Sequence, residues 1–171
     1  MKVVLINHSD SLGGASVVTY RLLKALQAQG IEARMLVVHK ATDDPSVVVA
    51  APHWRARLQF YIEAARIFVA NGHDRGDLFK VSLGSDGLPL SRHPLVREAD
   101  AVLLAWVNQG MLSLKEIGRI AAAKPVIWTM HDMWNLTALC HHAGECDKYA
   151  EPSGCRQCPF LHSKACLLYT S

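Results

Sequence analysis

"KVVLINHSDSLGGASVVTYRLLKALQAQGIEARMLVVH", Lys2 to His39, is the stretch that decides the fold. Lys2 to Asn7 is a short β-branched run of the kind buried on both faces of a sheet, and the Gly-containing stretch from His8 to Ala15 follows it as a turn. From Ser16 the period becomes helical: Val18, Leu22, Ala25, Leu26 and Gln29 fall on one side, and Gly30 stands where a helix C-cap belongs. Ile31 to His39 then returns to strand character. Strand, glycine turn, helix, glycine, strand is a βαβ unit, with parallel strands and a right-handed crossover.

Outward from this unit the same rhythm returns after Asp100. Ala101 to Val107 reads as a buried strand and "NQGML" as a turn. Ser113, with Glu116 three residues on, forms a capping box for the helix "LKEIGRIAAA", and Pro125 to Met130 is a further buried strand. The pattern predicts the α/β class, a Rossmann-like doubly wound parallel sheet with helices on both faces. Between these halves, His53 to Gly72 reads as a helix with Leu58, Ile62, Ala65 and Val69 along one face and Arg55, Arg57 and Arg66 elsewhere. Such charges suit either a solvated face or an anionic membrane surface. Gly84 to Leu95 reads as loop.

Half of the 171 residues are apolar, enough for one domain over residues 1–171 with a core of its own. The net charge of +3 comes from scattered Lys and Arg with no basic block, which argues against a nucleic-acid partner. "MKVVLIN" is too short for a secretory apolar region and no stretch reaches membrane-spanning length, so a cytoplasmic setting with reduced thiols is expected. Membrane contact is at most peripheral, at the inner face.

In doubly wound sheets, ligands bind beyond the carboxyl ends of the strands, which selects three groups of residues. Gly13 and Gly14 open a helix, where bare backbone N–H groups favour an anion such as phosphate. Trp106, Asn108 and Gln109 offer a flat apolar surface beside amide groups, and His131, Asp132 and Trp134 follow the last strand. Taken singly, each has a structural reading: a tight turn, an ordinary Asn-Gln-Gly turn, a carboxylate fixing a histidine tautomer. "SLGGAS" matches neither G-x-G-x-x-G nor the Walker A pattern. Their convergence on one sheet edge favours a binding site.

Four of the five cysteines, Cys140, Cys146, Cys155 and Cys158, form a C-x5-C-x8-C-x2-C loop over residues 140–158. The closing pair has zinc-ribbon spacing, so a structural zinc on the four thiolates is one reading, with His141 or His142 as a substitute ligand. A disulfide, or free thiols in a loop ordered by packing, are the others. Four thiolates leave no open position for water, so no catalytic metal is expected. A thiol redox role fits poorly, because Cys155 and Cys158 do not open a helix after a strand.

"INHSDSLGGASVVTYRLLKALQAQGIEARMLV", "ADAVLLAWVNQGMLSLKEI", "KPVIWTMHDMWNLTALCHHAGECDKY" and "CRQCPF" together resemble the N-terminal domain of a bacterial family 4 glycosyltransferase. That family is retaining and has the GT-B fold, and the likeness is to its branch with a cysteine loop after the His-Asp turn. It covers nearly the whole chain apart from about Ala41 to Asp77. The resemblance implies the acceptor side of a cleft between two Rossmann-like domains. It also implies transfer of a sugar from a nucleotide-diphosphate donor to a cell-surface glycan or lipid-linked acceptor, in polysaccharide biosynthesis. By it, Gly14 approaches the donor diphosphate and His131 the donor sugar near the reacting carbon. Leaving-group stabilisation of this kind requires no metal.

Two departures stand out. Leu103, Leu104 and Ala105 occupy positions where many relatives carry His-x-His before the tryptophan, and the E-x7-E pattern of the donor domain is absent. The expectation is therefore a C-terminal donor domain missing from this sequence, and no turnover from these residues alone. The rival expectation is a non-catalytic, zinc-bearing Rossmann-like binding module.

Overall fold

A computed structural model describes residues 1–76, 78–151 and 154–155. Five strands, β1 (Lys2–Ser9), β2 (Glu32–His39), β3 (Val47–Val49), β4 (Ala101–Leu104) and β5 (Val126–Trp128), form one sheet in the order β3-β2-β1-β4-β5. Every pairing is parallel. Among the described residues, four α-helices accompany them: α1 (Gly13–Ala28), α2 (His53–Ala70), α3 (Pro94–Glu98) and α4 (Leu114–Ala123). The expected Rossmann-like, doubly wound parallel sheet is what the chain forms. Among the described residues, no helix is long and apolar enough to cross a membrane.

Side chains alternate across a strand, so β1 feeds two cores at once. Val3 and Leu5 pack with Leu23 of α1, Met35 and Val37 on one face. Val4 and Ile6 pack on the other with Leu36, Ala56 of α2, Val96 of α3, and Ile117 and Ile120 of α4. Leu5, Ile6, Leu36 and Leu104 are fully buried, each side chain contributing about 1.5–3 kcal/mol of transfer free energy.

Several local readings shift. α1 begins at Gly13, three residues before the helical period becomes visible, and buries Ser16, Thr19 and Leu23 rather than the side bearing Val18 and Ala25. Thr19 is tolerated inside because its hydroxyl donates to the Ala15 carbonyl at 2.7 Å. α2 buries Ala56, Glu63 and Ile67, leaving Leu58 and Val69 exposed where the apolar face was expected to be covered. Its inward position goes to a carboxylate because that carboxylate has backbone work: Glu63 Oε1 accepts the N–H groups of Leu83 and Gly84 at 2.9 and 3.2 Å. Within the stretch read as loop lie a 3-10 turn (Leu90–Arg92) and the start of α3, and β3 escaped notice for its brevity. Only half of the capping box forms. Ser113 accepts from Glu116 N, while the Glu116 carboxylate turns to Ser91 N and Arg119.

The chain runs from β1 outward to β3, then crosses back to β4 on the other side of β1. The strand order thus reverses between β1 and β4, which opens a crevice at their carboxyl ends.

Candidate functional site

The crevice is fastened by one buried side chain. Asn7, fully buried near the end of β1, accepts from Trp106 N through Oδ1 at 2.9 Å and donates from Nδ2 to the Ser9 carbonyl and Ser16 Oγ at 2.6 and 3.0 Å. His8 N donates to the Trp106 carbonyl at 2.9 Å. Asn7 therefore ties β1, the residues after β4 and the first turn of α1 together. A polar residue closing an otherwise apolar strand was its visible signal, and the sequence reading did not use it.

Beyond this tie lies a cavity of about 710 Å³. Ser9, Gly13, Gly14 and Ser16 form one wall, Trp106, His131 and Asp132 another, and His8, Phe79, Lys80, His141 and His142 complete it. Three predicted groups thus meet here through Gly13, Gly14, Trp106, His131 and Asp132. Asn108, Gln109 and Trp134 do not line it. Asn108 is buried behind Asp132, Gln109 faces a second cavity, and Trp134 is core, its Nε1 donating to the Ser82 carbonyl at 2.9 Å.

The two walls differ in chemistry. On the first, α1 opens without a side-chain cap and with no acidic residue in its first turn, so its N-terminal partial positive charge is not neutralised from within the helix. A Cβ built on Gly14 meets nothing within 4 Å, so the glycine leaves open space over the helix end. On the second wall, the Asp132 carboxylate is enclosed by donors. Its Oδ2 accepts from Trp106 Nε1 at 2.8 Å and Asn108 Nδ2 at 2.6 Å, and its Oδ1 from Trp134 N at 3.0 Å. Asp132, with His131 a candidate catalytic residue by its place beyond the last strand, thereby holds the Trp106 ring and the turn bearing His131.

Four imidazoles take their properties from burial. Desolvation pushes His8 down to about 4, with the neighbouring His39 ring adding to the effect. It also lowers His131, against the opposing pull of the Asp132 carboxylate. His141 is lowered in the same way, again opposed by Asp132, and its Nε2 lies 3.0 Å from Ser82 Oγ. His93, at the start of α3 and away from the cavity, is lowered by burial too. Burial thus holds His8, His131 and His141 toward the neutral form, able to donate or accept a hydrogen bond without carrying charge.

The cysteine loop begins as part of this wall. Val81 and Cys140 form an antiparallel bridge, flanked by Ser82 N to the Leu139 carbonyl and His141 N to the Lys80 carbonyl, both 2.9 Å. Ile67, Val81, Leu83, Leu139, Cys140 and Ala143 make a small apolar cluster beneath it. Packing from outside the loop, by Ile67, Val81, Leu83 and Leu139, thus anchors its first residues. Cys140 is buried in that cluster, Cys146 and Cys155 are half-buried, and no disulfide joins these three. Among the described residues, no three His, Cys, Asp or Glu side chains converge in a way that would hold a metal. Cys158, the fourth expected ligand, lies outside the described residues. His141, a substitute ligand by spacing, instead bonds Ser82 and faces the cavity.

Comparison with known proteins adds no relative. No family model, no curated protein and no solved structure matches the chain.

Proposed function

We propose that this chain is the acceptor-side domain of a retaining glycosyltransferase. In this reading, the 710 Å³ cavity receives the diphosphate and sugar of a nucleotide-diphosphate sugar. The observation that carries it is the uncapped start of α1, with Gly14 bare over it, facing His131 across one cavity. Backbone N–H groups at a helix start stabilise the charge that develops on a departing diphosphate, and they are fixed before the reaction begins. A neutral His131 donates a hydrogen bond to the donor sugar without adding a competing charge. The fold resemblance is consistent with this reading, since the crevice lies where doubly wound domains bind nucleotides. A second domain would supply the opposite wall of the cleft and most of the nucleoside contacts.

The test is ligand selectivity by isothermal titration. Uridine diphosphate and guanosine diphosphate are expected to bind more tightly than the matching monophosphates, with the nucleosides silent. His131→Ala should weaken UDP-glucose more than UDP. Equal affinity for diphosphate and nucleoside would overturn the proposal and leave a binding module of another kind.

A further inference from the structure

A second cavity, of about 360 Å³, opens on the far side of His8. It sits between the carboxyl ends of β1 and β2 and the first turns of α2, and its walls carry His8, His39, His53, Arg57, Tyr61 and Gln109. His8 lines both cavities, so one imidazole separates them. The rings continue as a row: His8 to His39 is 5.1 Å between centroids and His39 to His53 is 6.1 Å.

Among the described residues, no carboxylate lines this cavity. The one acid of α2, Glu63, is buried and spent on the backbone of Leu83 and Gly84. Asp10, after β1, is likewise spent on Ala41 N, Thr42 N and the Thr42 hydroxyl. Arg57 makes no ion pair among the described residues. Its guanidinium lies 5.6 Å from the Tyr61 ring centroid, and Nη2 is 3.4 Å from the Tyr61 hydroxyl, a weak bond that leaves most of its five donors available. A fixed cation, three imidazoles and an amide around one hollow, with no internal counter-charge, is the donor set of an oxyanion site.

We propose that this second cavity is the acceptor subsite, and that it selects an acceptor carrying an oxyanion, either a phosphate ester or a sugar carboxylate. The inference rests on the glycosyltransferase reading for the word acceptor, while the oxyanion preference stands on the side chains alone. Arg57 holds the anion, His39 and His53 donate to it, and the apolar sides of Phe60 and Tyr61 take the body of the sugar. His8 then stands between the acceptor and the donor cavity.

Imidazole and amide NMR shifts of the whole chain provide the test, with glucose 1-phosphate, glucuronate and methyl glucoside as probes and UDP as a separate titrant. The two charged probes are expected to move the His39 and His53 ring signals saturably, and methyl glucoside to leave them still. A response to glucose 1-phosphate alone assigns a phosphate ester, and one to glucuronate alone a carboxylate. Arg57→Gln, on an exposed side chain, should fold normally and weaken the charged probes about tenfold. His53→Gln provides an independent second variant with a smaller loss. Equal binding of the neutral glucoside, or an unchanged response in Arg57→Gln, would overturn the subsite. A UDP response at Gly14 with no oxyanion response at His39 overturns the subsite and leaves the glycosyltransferase reading. The reverse pattern supports the oxyanion site and removes that reading.

Discussion

The two walls of the main cavity were selected by the same argument and turned out to be opposites. The wall after β4 and β5 is closed on itself: Trp106, Asn108 and Trp134 all donate to Asp132, and Trp134 and His141 hold Ser82. The wall after β1 is open, with an uncapped helix start, a bare Gly14 and a His8 Nδ1 that is buried without a hydrogen-bond partner among the described residues. The closed wall is architecture and the open wall is where a ligand gains most. Substitutions among the bonds around Asp132 should therefore cost stability, whereas substitutions on the open wall, and at His131 facing it, should cost binding.

The largest expected effect is on the closed wall. Asp132→Ala strands three donors in a part-buried setting and should lower stability by about 4 kcal/mol, with Asp132→Asn losing roughly half of that. Chemical denaturation measures it, and a wild-type midpoint for Asp132→Ala would show that the carboxylate is free for chemistry. Next comes Glu63→Ala, which removes the acceptor for Leu83 N and Gly84 N beneath the same wall. A loss of about 3 kcal/mol is expected. The Val81–Cys140 bridge should lose amide-exchange protection with it, although neither residue is touched.

His8 on the open wall carries a pH signature. Its folded value is about 4 against an ordinary 6.5, so between those values the unfolded chain takes up a proton that the folded chain refuses. Stability then falls as the pH drops from 6.5 toward 4 and levels off below, a loss of about 3 kcal/mol from this group. His131, His93 and His141, also lowered by burial, act in the same direction. His8→Asn should flatten the slope in that window, and denaturation midpoints at pH 7 and pH 4.5 measure the difference. An unchanged slope would mean that His8 is solvated.

The smallest stability effect belongs to Gly14. Its backbone is helical and a Cβ there meets nothing, so Gly14→Ala should leave the thermal midpoint unchanged or raise stability by up to about 1 kcal/mol. A stabilised protein that has lost its ligand is the signature of an open wall. The contrasting glycine is Gly110, at positive φ, where a Cβ would come within 2.7 Å of the Gln59 backbone; there alanine should destabilise.

What the sequence made legible follows from which signals are local. The β-branched run of β1, the Gly30 stop and the Ser113 cap are each written in a few adjacent residues, and they placed the strands and therefore the crevice. Helix orientation is not local. Glu63 faces inward because backbone N–H groups twenty residues away need an acceptor, and no periodicity within α2 announces that. The same holds for the site. The Gly13–Gly14 turn and His131 were found because they sit at strand ends, whereas Asn7 was passed over as the tail of a strand, and His8 and Ser9 as part of a turn. Asp132 was selected, with His131 and Trp134, by its place beyond the last strand. Its bonding partners, Trp106 and Asn108, lie 26 and 24 positions away.

The most direct test of the central claim, that the start of α1 and His131 form one donor site, is an NMR titration with UDP-glucose comparing the wild type with Gly14→Ala. The account predicts that the amides of Gly14 and Ala15 and the ring of His131 shift together along one saturation curve, and that all three responses vanish in the stably folded variant. Shifts confined to other strand ends, or an undiminished response in Gly14→Ala, would contradict it.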